Sequence, residues 1–363
     1  MLQQLMSNFT LISVLAFVNS FMLVYYIIPK ISWVIVYLGL NDEPNERSSH
    51  KKATPSLAGV SFFITLIMTV FFIQYFDNQH IGLNLIASST LIFMVGLKDD
   101  LVVSSPRAKL FLETLATLFL FFNSVMEVTS LHGFLGVYEI PLVVTYAGSV
   151  LLALTIMNAY NLIDGIDGLA GTVAIVIFSV YGLVFYKLQL YFYFLLCLSF
   201  IGMLVAYLFY NFSGKKKVFM GDTGSLLIGF CIAFLTLKFL AVDTSQYNFF
   251  SFRAENGLIV VAAILCIPLF DLLRVIGVRL LRKQSPFYPD RNHSHHILID
   301  SGMSHFNASM LLGFINFSMV ILFIWLSSMF NSFIMCLVLL LSFALFLLAF
   351  NIMRKRIQRL NDD

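Results

Sequence analysis

Eleven long apolar segments run through the chain with few charges inside them, and this pattern leaves few architectures open. They occupy residues 9–28, 57–76, 81–97, 108–126, 142–163, 169–186, 189–210, 225–242, 257–280, 308–327 and 330–350. Each approaches the ~20 apolar residues that a helix needs to cross a hydrocarbon core of about 30 Å. Backbone polar groups must be satisfied internally in lipid, and the alternating ~10-residue pattern of barrel strands is nearly absent. The expectation is an all-α, polytopic integral membrane protein with about eleven transmembrane helices.

Composition points the same way. Of 363 residues, 60% are hydrophobic and 11% charged, with a mean hydropathy of +0.91. Soluble domains carry about 25% charged residues and could not hide this much apolar surface. Disorder, nucleic-acid binding and a disulfide scaffold are thereby excluded. Cys197, Cys231, Cys266 and Cys336 lie within apolar runs without C-x-x-C spacing and read as core hydrophobes. The first segment lacks a basic n-region and is too long for a signal-peptide h-region, so it reads as a retained helix. With no linker, tandem repeat or soluble insertion, residues 1–363 read as a single membrane domain.

Charge sets the orientation. With eleven spans, one side receives nineteen of the 22 basic residues, and the other keeps Lys187, Lys238 and Arg253. The positive-inside rule makes the rich side cytoplasmic, with the N-terminus outside and the C-terminus inside.

Most polar motifs fall on that same side. Asp99 and Asp100 follow Gly96-Leu97-Lys98 where the third span emerges. Alone they read as a solvated helix end, yet crowded acids also raise one pKa or bind a hard cation. Asn158 and Asn161 are helical neighbours, and Gly165 and Gly168 then let Asp164 and Asp167 turn toward a common point. Such an all-oxygen set suits Mg²⁺ better than zinc; the competing reading is a turn capped by its own Asx side chains.

Asn211 and Lys215-Lys216-Lys217 precede Gly221-Asp222-Thr223-Gly224-Ser225 at a helix start. Glycines there expose N–H groups to an anion, while Asp222 reads either as a metal ligand or as an N-cap. Arg291, His293, His295 and His296 crowd one loop after Pro289-Asp290. Zinc, a phosphate clamp and a plain surface loop all remain open, the arginine favouring a diphosphate. Arg47, Lys51 and Lys52 in the stretch from Asp42 to Pro55 read as a positive-inside signal. Arg107 and Lys109 meet the headgroup level, Glu113 lies deeper, and Asp271 with Arg274 reads as a structural ion pair.

Taken together, the motifs resemble the polyprenyl-phosphate N-acetylhexosamine-1-phosphate transferase family over essentially the whole chain. The run from Pro289 to His296 is similar to its bacterial N-acetylglucosamine-1-phosphate branch, which starts O-antigen, enterobacterial common antigen and teichoic-acid linkage units. The peptidoglycan branch, phospho-N-acetylmuramoyl-pentapeptide transferase, carries a different histidine run and is the alternative within the family. The resemblance implies that UDP-N-acetylhexosamine, most simply UDP-N-acetylglucosamine, reacts with undecaprenyl phosphate to give the lipid diphosphosugar and UMP, with Mg²⁺ required and Mn²⁺ as a substitute.

It also implies roles. Asp222 is the principal metal carboxylate and Asn161 a second ligand. Asp99 is the base that deprotonates or orients the acceptor phosphate, supported by Asp100, and Asp164 and Asp167 organise the nucleotide and metal. Asn158, Asn211, Arg291, His293, His295 and His296 go with the donor, and Lys109 and Arg107 with the acceptor phosphate. The family's Thr-Pro-x-x-Gly-Gly segment departs here at Ala58, which replaces the first glycine. Attack of one phosphate on another demands charge neutralisation and positioning, and direct attack is favoured over a covalent aspartyl intermediate. A homodimer is compatible with the reading. A secondary transporter would place its acids at the midplane and often show inverted repeats, and neither is seen.

Overall fold

The computed structural model describes residues 8–39, 41–42, 54–102, 105–249, 251–285 and 292–362. Arg47, Lys51, Lys52 and Arg291 lie outside the described residues.

Thirteen α-helices make up most of the regular structure described. The chain begins with α1 (Phe9–Leu38), α2 (Ala58–Ile73), α3 (Ile81–Leu101), α4 (Pro106–Leu120) and α5 (Leu142–Ile163). It continues with α6 (Leu169–Lys187), α7 (Tyr191–Asn211), α8 (Gly221–Leu240), α9 (Gly257–Ile264) and α10 (Cys266–Leu281). Last come α11 (Ser294–Asp300), α12 (His305–Met329) and α13 (Ser332–Asp362). Two short antiparallel ladders accompany them: β1 (Asn41–Asp42) with β2 (Thr54–Pro55), and the irregular hairpin of β3 (Ser130–Phe134) with β4 (Val137–Glu139).

Each apolar segment is helical, but the expected count of eleven full spans is not reached. Among the described residues nine helices are long and apolar enough to cross a membrane, or ten counting one bent pair. Segment 108–126 yields only α4, with 15 residues. At 1.5 Å per residue it covers about 22 Å, short of the core. Pro106 starts it, the Ser105 hydroxyl accepts from the Ala108 amide, and the chain turns away at Phe121 although the residues stay apolar.

Segment 257–280 is the bent pair, α9 and α10, meeting at 72°. Pro268 has no N–H, and its ring excludes the Ile264 carbonyl from the usual helical bond. The freed groups find the buried side chain of Asn316 on α12. Its Nδ2 donates to the Ile264 carbonyl (3.0 Å) and its Oδ1 accepts from the Ile267 amide (3.1 Å). Asn316→Leu strands one donor and one acceptor, at about 1–3 kcal/mol each. We expect its melting temperature in detergent, followed by tryptophan fluorescence, to fall by several degrees; an unchanged value would contradict the bridging role.

Helix α8 forms the centre. Its apolar window is wholly buried, as befits a helix hydrophobic on every side, and α2, α3, α5 and α6 pack around it. Glycines bring the backbones together, since lipid offers no hydrophobic drive for helix association. A Cβ on Gly59 of α2 would overlap the Gly224 amide nitrogen, and one on Gly96 of α3 would lie 2.5 Å from the Thr223 Cα. The first turn of α8 therefore meets the last turns of α3 and α5.

Candidate active site

At that meeting point the acids from separate motifs come together. Asp99 and Asp100 close α3, Lys109 sits in the first turns of α4, Asn158 and Asn161 end α5, and Asp222 opens α8. The Lys109 ammonium bridges two of them, 2.8 Å from Asp99 Oδ2 and 3.1 Å from Asp222 Oδ2. The other Asp222 oxygen accepts from Asn161 Nδ2 (3.1 Å), which also reaches Ser225 Oγ (3.0 Å).

Asp100 does something the sequence did not reveal. Its Oδ1 accepts from the Asp222 amide (2.8 Å), and its Oδ2 accepts from the Thr223 amide (2.9 Å) and hydroxyl (2.5 Å). It thus caps α8 from another helix and satisfies N–H groups that a helix start leaves bare. This corrects two expectations. Asp100 supports the start of α8 rather than Asp99, and these amides are not open to an anion. It also frees Asp222 from capping duty. Gly221 is required here: its φ is +70°, and a Cβ would press on the Asp100 carboxylate at 2.8 Å.

The loop between α5 and α6 carries Asp164 and Asp167 to different fates. Asp167 Oδ2 accepts from Lys217 Nζ (2.7 Å) and pairs with His305 Nδ1 (2.8 Å), while its carbonyl accepts from Ser309 Oγ (2.7 Å). Burial would raise its pKa, but the bonds from His305 and Lys217 hold it below the usual range. The expected catalytic role thus narrows to a loop fastening. Asn211 is likewise used up structurally, its Oδ1 accepting from the Gly168 amide (2.6 Å) and its Nδ2 donating to the Val218 carbonyl (2.9 Å). It shapes the loop rather than presenting its amide to a donor.

The Asp164 carboxylate, by contrast, has no hydrogen-bond partner among the described residues, while its backbone amide donates to the Asn161 carbonyl (3.2 Å). Burial and the charges of Asp222, Asp100 and Asp167 push its pKa up to about 7. An acid raised in the fold costs stability progressively as pH climbs from its unfolded value near 4 through 7. Asp164→Asn removes that cost. In protein stripped of divalent cations, its melting temperature should exceed the wild-type value by more at pH 8 than at pH 5. A gain that shrinks toward pH 8 would contradict the burial and repulsion assigned to Asp164.

The histidine loop joins the same end of the bundle. Asp271 accepts from the Ser294 amide (2.6 Å) and pairs with His293 Nδ1 (2.7 Å), so it starts α11 and orients that ring. Arg274 donates to the Asn292 carbonyl. The expected Asp271–Arg274 ion pair is therefore replaced by two separate grips on the loop, which turns both buried side chains toward it. The rings of His293, His295 and His296 pack together with centroids 4.3–6.4 Å apart, His293 stacked on His295 and His296 set at an angle to both. His295 fills the space where Gly165 would carry a Cβ, tying this loop to the Asp164 turn. Burial pushes the pKa of His295 well down, keeping it neutral, and neither ring nitrogen has a hydrogen-bond partner among the described residues.

Arg107 stands exposed at the start of α4. Asn158 donates to Glu113 Oε2 (3.1 Å) and the Leu154 carbonyl (2.9 Å), leaving only its Oδ1 for a ligand. Glu113, Lys217, Thr223, Ser225 and His305 belong to the site but to none of the expected residue sets. Glu113 carried a signal as a carboxylate one turn beyond Lys109 in an apolar run, and Lys217, Thr223 and Ser225 sit within the motifs around Asp222, whereas His305 carried none.

A family model described as glycosyl transferase family 4 matches residues 82–240, which contain α3 to α8 and most of these groups. A Yersinia pestis protein named undecaprenyl-phosphate alpha-N-acetylglucosaminyl 1-phosphate transferase is 31% identical over 283 residues, 77% of this chain and 74% of that one. A Bacillus subtilis (strain 168) protein, named a probable undecaprenyl-phosphate N-acetylglucosaminyl 1-phosphate transferase, is 30% identical over 322 residues, 86% of this chain and 87% of its own. The Escherichia coli (strain K12) protein with the Yersinia name is 28% identical over 284 residues, 76% and 73% of the two chains. Matched across the helices that build the polar cluster and at this coverage, the chain belongs to glycosyl transferase family 4.

Proposed function

We propose that this chain transfers N-acetylglucosamine 1-phosphate from UDP-N-acetylglucosamine to undecaprenyl phosphate, releasing UMP, with Mg²⁺ at the cytoplasmic end of the helix bundle. The names of its relatives support the sugar phosphate and the lipid acceptor. The observation that carries the chemistry is the Lys109 bridge: one ammonium serves Asp99 and Asp222, while Asp164 and Glu113 stand nearby with no ion pair of their own among the described residues.

Mg²⁺ fits this donor set. Among the described residues no three carboxylate, imidazole or thiolate groups already form a metal cage. Mg²⁺ needs none, since it favours one or two carboxylates together with substrate phosphates and waters. Asp222 and Asn161 would hold it, and Mn²⁺ would substitute; bound there, it would neutralise charge on the donor diphosphate.

An oxygen of the acceptor phosphate forms a bond to the β-phosphorus of the donor. The bond from that phosphorus to the bridging oxygen breaks, and the electron pair leaves with UMP. Lys109 holds the acceptor phosphate against the repulsion of the donor, and Arg107 serves its headgroup side. Asp99 takes the remaining proton of a monoanionic acceptor or orients the dianion. His293, its Nδ1 on Asp271, turns Nε2 to the donor; His295, His296 and Arg291 contribute the rest of the diphosphate and sugar grip. Asp100, Asp167 and Asn211 keep the loops in place. The cytoplasmic assignment rests on the basic residues gathered at this end.

Purified protein in detergent, given UDP-N-acetylglucosamine, undecaprenyl phosphate and Mg²⁺, should release UMP, and EDTA should stop it. UMP release that ignores EDTA would sink the cation reading, and no release with any UDP-N-acetylhexosamine would sink the donor reading.

A further inference from the structure

Glu113 is buried inside the bundle yet half-used. Its side chain is fully shielded from solvent, Oε2 accepts from Asn158, and Oε1 has no hydrogen-bond partner among the described residues. A carboxylate oxygen shut away from both water and donors is an unfavourable arrangement unless another state uses it. Its charged neighbours are Lys109, Asp222 and Asp99. Lys109 lies four residues earlier on α4, the spacing that places two side chains on one helix face.

We propose that Glu113 is a positioning residue that receives the Lys109 ammonium when a divalent cation takes Asp222. The inference rests on the cation reading above and extends it to a group outside the expected site. As the structure stands, Lys109 occupies one of the two carboxylate oxygens that a cation at Asp222 would use: Nζ lies 3.1 Å from Oδ2, while Oδ1 accepts from Asn161 Nδ2. Two cations on one carboxylate repel, so the lysine must withdraw. Asp99, 2.8 Å away, keeps one of its N–H groups. Glu113 Oε1 gives a second N–H a partner one turn along the same helix. The ammonium thereby stays charged and beside the cation site, where an incoming phosphate would meet it. The Asn158 bond fixes the other oxygen, so Oε1 is the one left to receive.

The consequence is measurable without catalysis. Glu113→Gln keeps the volume and an oxygen for Asn158 but removes the charge, so the displaced lysine loses its second partner. Mn²⁺ alone serves as the probe, with binding read from the loss of the free-ion electron paramagnetic resonance signal. We expect Glu113→Gln to weaken Mn²⁺ binding by about fivefold or more, the scale of a coupling between sites. Glu113→Asp, which keeps the charge, should recover most of the affinity. In a Lys109→Met background no lysine needs a new partner, and adding Glu113→Gln should change the affinity less than about twofold, within the additivity of uncoupled positions. Wild-type affinity in Glu113→Gln overturns the inference, as does an equal loss in the Lys109→Met background, which would mark a direct or merely structural effect. Absence of Mn²⁺ binding by the wild type overturns the cation reading and this inference with it.

Discussion

Asp222→Ala should abolish Mg²⁺-dependent UMP release, lowering kcat by about 10³-fold or more, equivalent to ~4 kcal/mol of lost transition-state stabilisation. The fold should survive. Lys109 keeps Asp99 at 2.8 Å, Asn161 keeps Ser225 at 3.0 Å, and the cap on α8 comes from Asp100, whose bonds go to backbone that alanine retains. Loss of one carboxylate from a crowded acidic cluster also relieves repulsion. The expected pattern is thus an inactive protein melting at or above the wild-type temperature, seen by UMP release and thermal unfolding on one preparation. Turnover within tenfold of wild type would remove Asp222 from the reaction centre.

Gly59→Val should have the second largest effect, and through packing rather than chemistry. A Cβ there overlaps the backbone nitrogen of Gly224, so α2 must leave α8. Backbone atoms cannot turn aside as a flexible side chain can, and overpacking of this kind exceeds the ~1–3 kcal/mol typical of side-chain crowding. The same displacement would break the bonds from the Ala58 and Gly59 amides to the Phe219 and Met220 carbonyls, which set the approach to Asp222. Yield of folded protein in detergent and activity should fall together. Ala58→Gly, at the neighbouring buried position, adds no atoms and should cost about 1 kcal/mol at most. A folded, active Gly59→Val would refute the close approach of α2 and α8.

Much of this architecture was readable from hydropathy. Segment 142–163 coincides with α5, because apolar composition and a following Asp-Gly pair mark its end unambiguously. Hydropathy failed where chain direction depends on something other than apolarity. Residues 121–126 remain largely apolar after α4 has ended, and the bend before Pro268 hides inside a continuous hydrophobic run. The proline was a signal, but its partner Asn316 lies on another helix, beyond any local pattern.

The site shows the same division. Asp99, Asn161, Asp164, Asp222 and His293 were legible because costly polar groups cluster at helix ends. Their partners were not. Asp100 caps a helix 122 residues away, and Asp167 is bound by His305, 138 residues on. Such contacts follow from how α3, α8 and α12 pack, and no spacing within one segment encodes them.

One labelling experiment tests the transfer chemistry most directly. UDP-N-acetylglucosamine carrying ³²P at the β-phosphate is incubated with the purified protein, undecaprenyl phosphate and Mg²⁺, and the products are partitioned between water and butanol. Transfer of the sugar with its phosphate moves the label into the lipid phase and leaves unlabelled UMP in the water. Label retained in water as UDP, with sugar alone on the lipid, would contradict it.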